Sequence, residues 1–208
     1  ALGALKNVGV EAMKLIVEGR GEKPFVNLFD FARRCDLKRI GKRPLEMLAR
    51  AGAFDVLDQF RRRVMMSLDA ITAYSAAIHD QKSSNQVSLF GDAGEDLPEP
   101  RLMGGDDWLP AERLAEEFKA IGFYLSGHPL DDYIGPLKRK QVLTLDDVIA
   151  RAEKGAAIVK MAGTVSGRQE RKSARGNRFA FVQLSDPTGQ YEVTMFSDTL
   201  EASREFLE

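Results

Sequence analysis

The sequence predicts a mixed fold: an α-helical module built from two repeated hairpins, a polar linker, and a β-rich segment amounting to part of a barrel. Three observations predict it. A short motif recurs 32 residues apart near the start, each copy ahead of a helical apolar pattern. A long stretch in the middle is too polar and too rich in Gly, Pro and acidic residues to bury itself. From residue 156 the apolar period shortens from that of a helix to that of a strand.

The repeat pairs Leu5-Lys6-Asn7-Val8-Gly9-Val10-Glu11-Ala12-Met13 with Leu37-Lys38-Arg39-Ile40-Gly41-Lys42-Arg43-Pro44-Leu45. Leu15 and Ile16 follow the first copy and Met47 and Leu48 the second at the same 32-residue offset, and a glycine closes each stretch, Gly19 in the first and Gly52, one place further on, in the second. Asn27 is suited to cap a helix through about Arg34, Pro44 to a first helical turn, and Gly52 to a C′ position. Between them Leu37 and Ile40 precede a tight turn at Gly41. This pattern resembles the helix-hairpin-helix family, in which two copies form one compact unit. There a glycine lets backbone approach a phosphate, and the next helix aims unpaired N–H groups at it regardless of base identity. The resemblance makes Lys6, Val8, Gly9, Lys38, Ile40, Gly41, Lys42 and Arg43 candidate DNA-binding residues. The family's usual second glycine is replaced by Asn7 and Arg39. Glu11 puts a negative charge beside the first turn, so Gly41-Lys42-Arg43 is the favoured contact.

A further helix is expected from Arg61 to about Asp80, where Val64, Leu68, Ile71 and Ile78 recur at helical spacing. Met65 and Met66 read as packing, and His79 closes the helix without a catalytic role. Residues 81–109 then read as a flexible linker. Inside it stands Gln86-Val87-Ser88-Leu89-Phe90, two large apolar side chains and a glutamine among residues unable to form a core. The pentapeptide resembles the clamp-binding motif by which bacterial replication proteins dock on the sliding clamp. Burying Leu89 and Phe90 in a preformed groove would contribute about 1.5–3 kcal/mol each before the cost of ordering the segment.

Leu114, Phe118 and Ile121 mark one face of a helix from Pro110, closed by Gly122, and residues 110–155 read as a helical junction. Ser126 and His128 in Gly122-Phe123-Tyr124-Leu125-Ser126-Gly127-His128-Pro129-Leu130 invite a hydrolase reading. The flanking Gly and Pro mark a turn instead. Residues 156–208 alternate as strands: Ile158, Lys160, Ala162 and Thr164 against Val159, Met161, Gly163 and Val165, then 179–184, the turn Asp186-Pro187-Thr188-Gly189, and 191–196. With a last helix from about Asp198, this resembles the first part of an OB-fold β-barrel, two strands short of five. Its basic loop at Arg168–Arg178 supplies Arg168, Arg171, Lys172, Arg175 and Arg178 as candidate DNA-binding residues, while Phe179 and Phe181 read as barrel packing.

The net charge of −1 conceals segregation. Residues 1–63 hold 14 Lys and Arg against 8 Asp and Glu, residues 138–178 hold 11 against 4, and residues 91–111 hold one Arg against six acids. Basic blocks flanking an acidic linker suit phosphate binding at both ends. Cys35 is the only cysteine, which excludes an internal disulfide or a cysteine-rich zinc site, and it reads as a small core residue. No apolar run reaches the roughly 20 residues of a membrane span.

Residues 122–133 resemble the junction after the clamp motif in the family of bacterial replicative (C-family) DNA polymerase III alpha subunits. Hairpins, pentapeptide, junction and barrel occur in that family's order. The resemblance implies a C-terminal fragment of such a chain, a reading with which the missing initiator Met agrees. It implies DNA-directed DNA synthesis by the parent with magnesium held by palm aspartates, and no catalytic residue or cofactor in residues 1–208. Implied partners are double-stranded and single-stranded DNA, the sliding clamp (beta subunit) and other replicase holoenzyme subunits, with no membrane and a cytoplasmic, nucleoid-associated location. Two alternatives stay open: a clamp-associated repair or recombination accessory protein without polymerase activity, and a scaffold whose basic blocks bind acidic proteins.

Overall fold

The computed structural model describes residues 2–83, 97–155 and 158–207, with backbone only at 82 and 83. It divides into two compact units, Ala1–Gly122 and Phe123–Glu208.

In the first unit a 3₁₀ turn at Leu2–Ala4 leads to α1 (Val10–Arg20), α2 (Leu28–Arg34), α3 (Leu37–Ile40), α4 (Lys42–Arg50), α5 (Arg61–Ser83) and α6 (Pro110–Ile121). Local chemistry sets the boundaries. Asn27 Oδ1 accepts the Asp30 N–H at 2.8 Å to start α2, Asp36 Oδ1 caps α3, and Gly122, in a left-handed conformation, ends α6. The residues Leu37–Ile40, expected to lead into a turn, form one helical turn of their own because the Asp36 carboxylate satisfies its first free N–H groups.

The 23-residue α5 is the spine of this unit, with α2, α3 and α4 packed on it. Its Val64, Leu68, Ile71 and Ile78 are all buried, and so are Leu37, Leu45 and Leu48 across from them. Ser75, inside α5, accepts the Leu37 N–H at 3.2 Å and donates to the Cys35 carbonyl at 2.9 Å, fixing the α2–α3 corner against the spine. Cys35 is buried there, as expected, and burial pushes its thiol up to about 11. Gly19 matters to the same corner. A Cβ at that position would stand 2.4 Å from Cys35 Sγ and 2.8 Å from the Arg34 carbonyl oxygen.

Two expectations are corrected in this unit. Residues 97–109 are not a free linker: Leu97 and Leu102 pack against the helical core and Met103 N–H donates to the buried Ser67 hydroxyl at 2.8 Å. Their polar composition misled because those bonds are made to the flank of α5, beyond any local pattern. Likewise α6, expected in a junction with residues up to 155, belongs to the first unit. Its innermost residues are Ala120 and the charged Glu117, rather than the Leu114, Phe118 and Ile121 stripe, since Glu117 meets Arg61 of α5 at 3.2 Å.

The second unit holds a 3₁₀ turn at Asp131–Tyr133, α7 (Ile134–Arg139), α8 (Leu145–Ala152), the strands β1 (Thr164–Lys172), β2 (Arg178–Asp186) and β3 (Gly189–Phe196), and α9 (Ser197–Ala202). The sheet is an antiparallel meander in the order β1-β2-β3 with a bulge between Val165 and Gly167. Asp186 closes β2 as a turn residue: its Oδ1 accepts from Thr188 N–H and Gly189 N–H, while its Oδ2 takes the Leu145 N–H at 2.6 Å and joins the turn to α8.

The strand expected from about residue 156 begins at Thr164; before it, Met161 makes only an isolated bridge to Leu143. The basic stretch expected as a loop is mostly strand, with only residues 173–177 turning at Gly176 (φ 83°). The reason is pairing. Period-two alternation runs on wherever residues alternate, but a ladder extends only as far as β2 supplies partners, from Lys172↔Arg178 to Thr164↔Ser185. The core face of β2 is Ala180 and Val182 under Leu200 of α9. Phe179 and Phe181, expected as barrel packing, point to the opposite face and are half-buried there, since alternation along β2 gives the face under Leu200 to Ala180 and Val182.

Candidate nucleic-acid interface

Both motif copies place a glycine at the start of a helix. Gly9 precedes α1 and Gly41 precedes α4, and neither helix start receives a side-chain cap, so the first N–H groups of each point outward. The backbone differs between copies. The left-handed residue is Asn7 (φ 60°) in the first and Gly41 (φ 91°) in the second. Any side chain at Gly41 would strain that turn.

Val8 and Ile40 are buried at 4% and 5% exposure, so only their backbone groups can approach a ligand. Lys6, Lys38, Arg39, Lys42 and Arg43 are exposed around the two turns. Lys6 lies 5.7 Å from the Phe118 ring centre. Lys42 Nζ meets Asp69 Oδ1 at 2.6 Å, and that hydrogen bond raises the lysine pKa. An exposed pair of this kind is weak enough to be exchanged for a phosphate. Glu11 is paired with Lys14 at 2.8 Å.

In the second unit the five basic residues do not share a face. Arg168 pairs in register with Val182 and forms an ion pair with Glu170 at 3.6 Å, while Arg171 lies on the other side of the sheet over the Phe181 ring, 5.5 Å from its centre. Lys172 and Arg178 close the hairpin and Arg175 is in its turn. Phe179 and Phe181 meet edge to face at 5.5 Å. Sequence reasoning missed Phe196, 70% exposed, which the register sets directly across from Phe179. Counting outward from the turn at Asp186↔Gly189 would have found it. Three aromatic rings and one guanidinium thus share an outward strand face.

His128 is held differently from a catalytic base. Its Nδ1 accepts the Leu130 N–H at 3.1 Å, so the hydrogen sits on Nε2 and donates to Ser185 Oγ at 3.1 Å. A serine nucleophile needs the reverse arrangement, and the partner is Ser185 rather than Ser126. Burial holds the His128 pKa below the ordinary histidine value, against the opposing pull of Asp131 and Asp186. A depressed folded-state pKa means that protons bind the unfolded chain more readily. The stability this residue contributes is therefore full above the unfolded value of about 6.5 and is lost as pH falls toward the folded one. Thermal melting of the chain is expected to show a second-unit transition that drops between pH 7.5 and pH 5.5. In His128→Gln that drop should shrink, and an identical pH profile in the variant would count against the assignment.

The pentapeptide Gln86, Val87, Ser88, Leu89 and Phe90 lies outside the described residues. Among the described residues no group of three or more His, Cys, Asp or Glu is placed to hold a metal ion, and no helix is long and apolar enough to cross a membrane.

Residues 1–64 match the family model of the helix-hairpin-helix motif. The matched start of the first unit is therefore a helix-hairpin-helix module, and the second unit holds a three-stranded antiparallel sheet consistent with a partial OB-like fold. Along its whole length the chain is 45% identical to DNA polymerase III subunit alpha of Caulobacter vibrioides, covering 18% of that protein. It is 36% identical over 95% of its length to the subunit of that name from Rickettsia prowazekii and 33% identical over all of it to that from Vibrio cholerae, covering 17% and 18% of them. The chain is thus a relative of one stretch of the bacterial DNA polymerase III alpha subunits, spanning less than a fifth of their length.

Proposed function

We propose that residues 1–208 are the DNA-holding and clamp-docking region of a replicative DNA polymerase III alpha subunit. The observation that carries the reading is the pair of uncapped helix starts behind Gly9 and Gly41, ringed by exposed Lys6, Lys38, Lys42 and Arg43, in a chain related throughout to polymerase subunits. Outward N–H groups and flexible cations bind phosphate without reading bases, which suits a polymerase that must travel over any sequence. Duplex DNA is the ligand of this unit. Single-stranded template is the ligand of the second, where Phe179, Phe181 and Phe196 offer stacking faces and Arg171, Lys172, Arg175 and Arg178 offer charge along the strand backbone.

The pentapeptide Gln86–Phe90 fastens the same chain to the sliding clamp. Each grip can be weak, because linking them raises the effective concentration of the others. The parent chain polymerises deoxynucleotides in the cytoplasm, at the nucleoid, together with other holoenzyme subunits. Its magnesium is held by aspartates in parts of the subunit outside these residues.

Salt titration tests the phosphate reading. Duplex affinity is expected to fall linearly in log–log form, with a slope of about −0.9 per phosphate neutralised. Arg43→Ser should flatten the slope by about one and weaken all duplex sequences alike. Affinity unchanged between low and high salt would refute it.

A further inference from the structure

Asp69 takes no part in the core of the first unit. Leu68 before it and Ile71 two residues on are buried, while its own side chain is 79% exposed and turned to the start of α4. There the Lys42 ammonium donates to its Oδ1 at 2.6 Å, a meeting brought about by the packing of α4 on α5. Lys42 is the first residue of α4, so the carboxylate stands within one lysine side chain of the helix start that would receive a phosphate. To a lysine the two groups are alike, each a charged oxygen acceptor at hydrogen-bond distance. Among the described residues Lys6, Lys38, Arg39 and Arg43 form no ion pair, so Lys42 is the one cation of the two turns that is already taken. The rise in its pKa comes first from Asp69, with Glu46, one turn further along α4, adding least.

We infer that Asp69 is a built-in competitor for the duplex, occupying the Lys42 ammonium until a backbone phosphate displaces it, an inference that rests on the DNA-holding reading. Displacement works against binding in two ways. The ion pair has to be broken, and the freed carboxylate is then left near the incoming phosphate as a like charge. Both partners are exposed, so the pair is weak and a phosphate can win the exchange. The second hairpin therefore holds duplex less tightly than its cations would alone. That suits a chain that must let go of each phosphate to move along DNA.

The test is a double-mutant cycle on duplex affinity at low salt, with the unmodified chain, Asp69→Asn, Lys42→Met and the two changes together. Asp69→Asn should tighten duplex binding by about two- to fivefold, the size an exposed ion pair sets. With Lys42→Met already in place the same change should gain less than about half as much, because no pair remains to be broken. Asp69→Glu, which keeps the charge within reach of Lys42, should bind like the unmodified chain. An equal gain in both backgrounds overturns the inference, since Asp69 would then act only as a negative charge near DNA. Weaker binding by Asp69→Asn also overturns it, showing a carboxylate that aims Lys42 at the phosphate, and so does an unchanged affinity. No duplex binding by the unmodified chain, or binding that Arg43→Ser leaves as it was, overturns the DNA-holding reading and this inference with it. That result is told apart from the others because neither protein is altered at Asp69.

Discussion

Alanine at both Leu89 and Phe90 is expected to weaken binding of the chain to a sliding clamp by about 100-fold or more. Each side chain leaves water for a groove at about 1.5–3 kcal/mol, so the pair amounts to roughly 3–6 kcal/mol, and every 1.4 kcal/mol is a factor of ten. Gln86→Ala should cost less, about tenfold or below, since a single neutral hydrogen bond is worth about 0.5–1.5 kcal/mol net. Duplex binding by the double variant should be untouched, because its cations lie on the hairpins of the first unit. Surface plasmon resonance against immobilised clamp measures the first effect, and a fluorescent duplex measures the second. A double variant that held the clamp as tightly as the unmodified chain would remove the peptide from the proposal.

The largest effect on stability is expected at Arg61. Its side chain is 7% exposed and donates to Asp55 at 2.8 and 2.9 Å, to the Arg50 carbonyl at 3.3 Å, and to Glu117, itself 1% exposed, at 3.2 Å. Burial works against its charge, yet the hydrogen bonds and charges of Asp55 and Glu117 outweigh that and hold its pKa above the ordinary arginine value. Removing one member of a buried ionic cluster leaves the others in a poorly solvating place, which costs about 3–5 kcal/mol. Arg61→Met keeps much of the volume and removes only the charge and the donors. Urea unfolding followed by the fluorescence of Trp108, the single tryptophan and part of the first unit, should show that loss as a lower midpoint. A change below about 1 kcal/mol would mean that water screens the cluster.

Arg61 and Glu117 also show where sequence reading stopped. They are 56 residues apart, and a helix rich in Glu and Lys such as α6 ordinarily turns those residues to solvent. Nothing local marks Glu117 as the innermost residue. By contrast α2 and α6 were legible almost to the residue, because Asn27, Pro110 and Gly122 are end signals whose chemistry acts within one turn. Gly41 was legible as a turn for the same reason, and its φ of 91° explains why only glycine suits it.

The candidate site divides along the same line. The hairpin cations and the basic stretch 168–178 could be read from residue order alone, and so could the resemblance to polymerase subunits. Which face each arginine of that stretch occupies could not, since a bulge at Val165–Gly167 and the pairing with β2 decide it. The order of residues by itself determined the helix ends, the repeated turn, the β-meander and the kinship, all of which depend on interactions spanning a few neighbours or on direct similarity. Only the tertiary structure decided that residues 97–109 lie strapped to α5, that Glu117 is interior, and that Phe179, Phe181 and Phe196 face outward together. Those outcomes turn on partners brought close by the fold, and a polar or aromatic residue looks the same in sequence whether its partner is water or a distant helix.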